Sequence, residues 1–139
     1  MITPQIELLE LPTSLASDWD RLLPVITKAL PRMGGTISLE GLYEMVERGT
    51  VIFWAGKEAF GIAVVMQHEL CKTYNILLAG GDGEELLDKL LPVMEKAARE
   101  IGCKTIHMDV RPGFIKRQDH TKRGYKEMAI CVAKELHNG

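Results

Sequence analysis

The residues best suited to do chemistry lie in one segment, YNILLAGGDGEELL (residues 74–87). An apolar strand is followed directly by a glycine-rich turn and then by an amphipathic helix. Gly80, Gly81 and Gly83 permit positive φ angles and expose backbone N–H groups. The helix N-terminus adds unpaired donors and the positive end of the helix dipole. This combination predicts an anion site, most simply for a phosphate.

Three carboxylates in the same turn oppose this interpretation: Asp82, Glu84 and Glu85. A carboxylate about 5 Å from a phosphate costs roughly 1 kcal/mol in a surface-like dielectric and several if the site is dry. The alternative is that these acids stabilise the first turn of the helix through its dipole and bind nothing. Both interpretations stay open at the level of sequence.

Further candidates for proton transfer lie on two predicted strands. His68 and Glu69 end a long apolar strand, and either can act as a general base. Successive strand residues face opposite sides, so at most one of them faces a given cleft. His107 and Asp109 share one face of a later strand, and we interpret His107 as a core or cleft-wall residue. The four histidines lack the spacing of metal ligands, so we expect no metal.

Composition indicates one soluble domain spanning residues 1–139, since 46% of the residues are hydrophobic and 26% are charged. No apolar run approaches the ~20 residues of a membrane span, and the N-terminal segment lacks the features of a signal peptide. The three cysteines form no CxxC pair, which is typical of reduced thiols in a cytoplasmic protein.

The segment Arg111 to Lys126 carries six basic residues against one acidic residue, Asp119. Such a cluster is typical either of a polyanion-binding face or of a solvated helix face. Because Phe114 and Tyr125 are its only aromatic residues, it lacks a stacking platform, and we expect no nucleic-acid partner.

Periodicity and turn signals predict the element order β-α-α-β-β-β-α-β-α-β, an α/β (α+β) arrangement of a mixed sheet with helices on both faces. The predicted strands are Gln5–Leu11, Thr50–Ala55, Ala59–Glu69, Cys71–Leu78, Lys104–Val110 and Lys126–Leu136. The first predicted helix is Asp18–Leu30, with Ser17 as N-cap and a kink or restart at Pro24. The second is capped by Ser38 and stops at Gly49, and the third runs from Asp82 or Gly83 to Glu100 with a bend at Pro92. The fourth is Phe114–Arg123, closed by Gly124. The strands on either side of the third helix should pair in parallel.

Over essentially the whole chain, this order resembles the GNAT (N-acetyltransferase) superfamily, whose phosphate signature is Q/R-x-x-G-x-G/A followed by an apolar pair. Gly81-Asp82-Gly83 and Leu86-Leu87 match, whereas Leu78 stands in place of the Gln or Arg. The resemblance implies a V-shaped sheet with acetyl-CoA in its opening. It implies that the backbone of Gly81, Asp82, Gly83 and Glu84 holds the pyrophosphate, and that Ile76, Leu77 and Leu78 pair with the pantetheine amides.

The resemblance also implies an N-acetyltransferase activity on a small-molecule or protein amine. The family's Tyr-x-x-x-Gly-Phe pattern is matched by Gly124-Tyr125, with His120 at the Tyr position. His120 or Tyr125 is then the general acid, and Glu69 or His68 the base. The alternative for His120 is an ordinary helix-surface residue.

The stretch RPGFIKRQDHTKRGYKE (residues 111–127) and the later KEL also resemble small GNAT-like proteins of tailed bacteriophages and prophages. That similarity implies an alternative function as a catalytically inactive structural, assembly or host-interaction protein. Its partner would be a phage or host protein, and its location the host cytoplasm or the virion. This alternative is favoured because Leu78 replaces the Gln or Arg of the phosphate signature and His120 replaces the Tyr of the second pattern. The intact glycines of the signature favour the enzyme. Either reading allows a homodimer.

Overall fold

A four-stranded mixed sheet flanked by helices forms the centre of the computed structural model, which describes residues 15–109, 123–126, 128, 132–134 and 136. The helices are α1 (Leu15–Ala29), α2 (Leu39–Glu47), α3 (Gly83–Glu85) and α4 (Leu91–Ile101). The strands are β1 (Ile52–Ala55), β2 (Ala59–Gln67), β3 (Lys72–Gly81) and β4 (Cys103–Met108). A 3-10 turn, Leu30–Met33, follows α1, and a π-helical turn, Leu86–Leu90, joins α3 to α4.

The sheet has the order β1-β2-β3-β4. The first three strands pair in antiparallel fashion, and β4 pairs in parallel with β3. The predicted parallel crossover through the third helix is therefore confirmed. A tight turn joins β1 to β2, where the Gly56 N–H donates to the Ala59 carbonyl over 2.8 Å.

One face of the sheet packs against α1 and α2. Trp19 stands edge-on to both Tyr43 and Phe53, with ring centroids 5.1 and 5.4 Å apart respectively. Leu22 and Ile26, one and two turns further along α1, are buried in the same cluster. The helical spacing of these apolar residues is what turns one stripe of α1 onto the sheet.

The other face packs against the π turn and α4. Gly61 in β2 faces Met94, whose methyl carbon would lie 3.2 Å from an added Cβ. On this face the buried Trp54 donates its indole N–H to the Tyr74 hydroxyl over 2.7 Å. Burial raises the pKa of Tyr74 to about 12. This bond satisfies two polar groups that would otherwise be buried alone.

The helices differ from the sequence-based expectations at their prolines. Ser17 lies inside α1 rather than capping it, and α1 continues through Pro24. Next to Pro92 the helix is widened: the Leu91 N–H donates to the Leu86 carbonyl, five residues back. The cap at Ser38 is confirmed, because its hydroxyl accepts the Gly41 N–H over 3.0 Å.

The chain separates into two compact units, Met1–Asp109 and Val110–Gly139, and all the elements above belong to the first. In the second unit, Gly124 has a φ of 86°, which fits the predicted helix stop. The predicted strand Gln5–Leu11 and residues 114–122 of the predicted basic helix lie outside the described residues. At the described positions of the predicted last strand, 126–136, no strand is present.

Candidate functional site

The pairing of β3 with its neighbouring strands changes at a β-bulge. Leu78 lies opposite Ile62 but Ile76 lies opposite Ala63, so Leu77 is the extra residue. On the other side, pairing with β4 ends at Ile76 opposite Met108. Beyond that point, no strand in the described part of the chain pairs with residues 77–81 on this side. We refer to the β3 backbone from Leu77 to Gly81, on the side away from β2, as the open edge.

The hydrogen-bond alternation of the ladder shows which backbone groups face the open edge. The Asp82 N–H donates to the Glu58 carbonyl over 2.9 Å. Because bonded and non-bonded pairs alternate in an antiparallel ladder, Gly80 and Leu78 also bond to β2, and both backbone groups of Ala79 point to the open edge. Of the residues predicted to pair with pantetheine, Ile76 therefore lies beside β4 and Leu78 bonds to β2. The position of Ala79 on the open edge could not be predicted, because a bulge leaves no signature in the hydrophobic pattern. The pairing of Ile76, Leu77 and Leu78 with pantetheine stays a prediction.

Packing requires glycine at position 81 of the turn and favours it at position 80. Gly81 has a φ of 97°, and a Cβ there would lie 2.1 Å from the Glu58 carbonyl oxygen. A Cβ on Gly80 would lie 3.3 Å from the Ala29 Cβ at the end of α1. Gly83, in contrast, lies in the first turn of α3 without a positive φ. These two glycines are thus explained without a ligand, and Gly83 is the one whose backbone does not demand glycine.

The three carboxylates of the turn have different surroundings. Asp82 is the N-cap of α3, and its side chain accepts the Glu84 N–H over 3.1 Å. Glu84 is exposed. Glu85 reaches back to the β1–β2 turn and accepts the N–H groups of Lys57 and Glu58 over 2.6 and 2.7 Å. The interpretation of all three as first-turn acids fits Asp82, but Glu85 also makes a tertiary contact.

The β1–β2 turn is held from both layers of helices. Opposite Glu85, Arg21 of α1 donates to the carbonyls of Lys57 and Gly56, the latter over 2.9 Å. The same guanidinium lies 3.2 Å from the fully buried carboxylate of Asp18. Gly56 leaves room for this arrangement, since a Cβ there would lie 2.6 Å from the Glu85 carboxylate. The turn that supports Gly81 and Asp82 is thereby fixed.

The two residues predicted as bases lie in the loop between β2 and β3. The His68 ring nitrogen Nε2 is 2.8 Å from the Thr73 hydroxyl, and Glu69 is exposed. Thr73 and Leu77 are four residues apart on the strand, or about 13 Å at the usual rise per residue. The structure therefore does not bring His68 or Glu69 together with the open edge, and their catalytic role stays a prediction.

Other polar side chains lie nearer the opening than His68 and Glu69. Asn75 of β3 is opposite His107 of β4, one residue before the pairing of these strands ends. His107 Nε2 lies 2.9 Å from the Thr105 hydroxyl, and the Asn75 amide donates to the Thr73 hydroxyl over 2.9 Å. His107, interpreted from sequence as a core or wall residue, is half-buried at this position.

The residues predicted as general acids belong to the second unit. His120 lies outside the described residues, and Tyr125 is half-buried. Their role stays a prediction. Within the described part of the chain, no group of three or more His, Cys, Asp or Glu side chains is placed to hold a metal ion. No described helix is both long and apolar enough to cross a membrane.

Neither a protein-family profile nor a curated protein sequence matches the chain. Solved structures do match it. Glucosamine-6-phosphate N-acetyltransferase from Arabidopsis thaliana is 15% identical with a TM-score of 0.62, over 91% of this chain and 97% of that one. An acetyltransferase of Trypanosoma brucei is 12% identical with a TM-score of 0.59, over 84% and 94%.

A GNAT family acetyltransferase of Staphylococcus aureus subsp. aureus USA300_TCH1516 is 14% identical with a TM-score of 0.57, over 89% of this chain and 95% of that one. Identities this low establish architecture and leave the site to be argued from its own residues. The α+β architecture with its four-stranded mixed sheet agrees with these neighbours, and the chain has the GNAT fold.

Proposed function

We propose that the protein is an acetyl-CoA-dependent N-acetyltransferase of the GNAT type, acting on an unidentified amine. The observation that carries this proposal is the open edge of β3, which runs into the N-terminus of α3. An unpaired strand edge is a template for an extended chain bearing amides. A helix N-terminus two residues further on offers donors to an anion. The two features together match a ligand that has an amide-bearing arm ending in phosphates.

The residues present fit such a ligand in part. The Ala79 N–H would donate to a pantetheine carbonyl, since the Ala79 carbonyl already accepts from Arg32. Of the residues proposed to hold the pyrophosphate, Gly81 to Glu84, the Asp82 N–H already donates to Glu58. The Asp82 carboxylate already accepts the Glu84 N–H, which weakens this end of the site. When bound, acetyl-CoA would supply the activated acetyl group that is transferred to the amine.

Acid–base residues complete the proposal. A base must accept the proton of the substrate amine, and an acid must protonate the departing thiolate. His120 or Tyr125 is proposed as the acid, and Glu69 or His68 as the base. His107 is a further candidate base, supported by its position beside the opening.

The second candidate function is that of a catalytically inactive GNAT-fold protein, used as a phage structural, assembly or host-interaction module. The capping of α3 by Asp82 and the exposed Glu84 carboxylate favour it, because both reduce the affinity of the turn for a phosphate. This candidate requires no bound acetyl-CoA, so the cofactor separates the two functions.

Calorimetric titration with acetyl-CoA tests the proposal. The wild-type protein should bind, and Gly83→Ala should weaken binding about 5-fold, or about 1 kcal/mol, because a methyl group would obstruct the approach of the phosphate. Gly41→Ala is the matched control, since Gly41 also lies in the first turn of a helix. Folded wild-type protein that shows no heat of binding at millimolar acetyl-CoA would favour the inactive candidate.

A further inference from the structure

One arginine lies beside the open edge although it is distant in sequence. Arg32, in the 3-10 turn Leu30–Met33, donates from Nη1 to the Ala79 carbonyl over 2.9 Å. That carbonyl faces the open edge, as the alternation of the ladder requires. Ala79 is two residues from Gly81, or about 7 Å along a strand. The exposed guanidinium thus lies between the open edge and the turn that precedes α3.

The position of Arg32 follows from packing at the end of α1. Gly80 has no side chain, and an added Cβ would lie 3.3 Å from the Ala29 Cβ. The end of α1 can therefore approach β3 closely, and the 3-10 turn begins at the next residue, Leu30. The turn closes where the Gly34 N–H donates to the Pro31 carbonyl, with Gly34 at a φ of 73°. This geometry holds the backbone of Arg32 against the far end of β3.

A cation is needed at this place if a phosphate is to bind. Asp82 and Glu84 bring two carboxylates to the turn, and no lysine or arginine lies between Lys72 and Lys89 in the sequence. Leu78, at the signature position of a Gln or Arg, is only 4% exposed in the core beneath α1. A residue at that position would point away from the open edge, so a cation has to come from another element.

We infer that Arg32 binds a phosphate group of the CoA moiety at the open edge of β3, in place of the polar residue missing at position 78. This inference rests on the proposed function. A guanidinium carries five N–H donors in a planar fork that suits phosphate oxygens, and its bond to the Ala79 carbonyl anchors the Arg32 guanidinium at the open edge. Its charge offsets the repulsion from Asp82 and Glu84. The cation and the backbone donors thus come from separate parts of the chain.

Titration calorimetry of Arg32→Gln against CoA, dephospho-CoA and pantetheine tests this inference. Arg48→Gln is the matched control: it removes the same charge from an exposed arginine that pairs with Glu44 on α2. We expect Arg32→Gln to weaken CoA binding about 5- to 10-fold and Arg48→Gln to leave it unchanged. Arg32→Lys, which keeps the charge, should restore part of the affinity. Pantetheine, which has no phosphate, should bind both glutamine variants equally.

The outcomes separate the inference from the proposed function. Dephospho-CoA lacks only the 3′-phosphate, so a loss of affinity that persists with it assigns Arg32 to the pyrophosphate, and a loss that disappears assigns it to the 3′-phosphate. Equal CoA binding by Arg32→Gln and Arg48→Gln would overturn the inference alone. A weakening that is the same for pantetheine would also overturn it, because Arg32 would then act only by shaping the edge. No CoA binding by folded wild-type protein would overturn both.

Discussion

The two halves of β3 share one strand but have different surroundings. From Lys72 to Ile76 the backbone is paired on both sides, with β2 and with β4. From Leu78 to Gly81 it is paired with β2, and its other side is the open edge. The bulge at Leu77 separates the two halves. Before the bulge, Ile76 directs its backbone N–H and C=O groups away from β2. After the bulge, Ala79 does so.

The difference shows how a strand can be rigid and still present backbone groups to a ligand. The paired half is anchored by buried side chains, above all Tyr74 bonded to Trp54. The open half is anchored instead from behind, where Gly81 and Asp82 lie against Glu58. Edge strands that lack such support tend to pair with other chains. The predictions below remove these supports one at a time.

The largest effect is expected at the end of the open half. Gly81→Ala places a methyl group 2.1 Å from the Glu58 carbonyl at a φ of 97°, so strain and overlap add. We expect a loss of about 3–5 kcal/mol in the free energy of unfolding, measured by urea denaturation. Gly102→Ala is the matched control, since Gly102 has a φ of 95° with nothing within 4 Å, and should cost only about 1 kcal/mol. Similar losses at both sites would show that the contact with Glu58 contributes nothing.

A smaller effect is expected in the paired half. Tyr74→Phe leaves the buried indole N–H of Trp54 without its partner, which should cost about 1–3 kcal/mol. Because the folded state raises the pKa of Tyr74 from 10.0 to about 12, its contribution is complete below pH 10 and is lost as the pH rises toward 12. Denaturation between pH 9 and 12 should therefore show a steeper loss for wild type than for Tyr74→Phe. Parallel slopes would contradict this account of Tyr74.

A third change tests the support of the open half by the β1–β2 turn. Glu85→Gln removes the charge from the acceptor of two backbone N–H groups, at Lys57 and Glu58, and should lower the unfolding free energy by about 1–2 kcal/mol. Glu84→Gln is the control, as Glu84 is exposed on the same turn. Equal effects would mean that Glu85 acts only through the helix dipole.

Much of the fold could be predicted from the sequence because side-chain periodicity encodes it. The helical spacing of Trp19, Leu22 and Ile26 identified the buried face of α1, and the β-α-β order identified the parallel pair. The bulge at Leu77 and the widened helical turn before Pro92 could not be predicted, because they depend on backbone hydrogen bonds rather than residue type.

The site was less predictable than the fold. The glycine-rich turn lies between β3 and the third helix, where the sequence predicted it, and its role as a phosphate site stays a prediction. Because packing explains Gly81 and favours Gly80, those glycines alone say nothing about a phosphate. The contact between Arg32 and Ala79 could not be predicted, because it joins residues 47 positions apart. Long-range contacts of this kind follow from tertiary packing and leave no local signal.

Amide hydrogen exchange of β3, followed by NMR with and without saturating acetyl-CoA, tests the central claim most directly. The Ala79 N–H faces the open edge, whereas the Asn75 N–H is bonded to β2 in the paired half. The account predicts that acetyl-CoA slows exchange at Ala79 at least about 10-fold and leaves Asn75 unchanged. Saturation with acetyl-CoA that leaves exchange at Ala79 unaltered would contradict the claim that the open edge of β3 holds the cofactor.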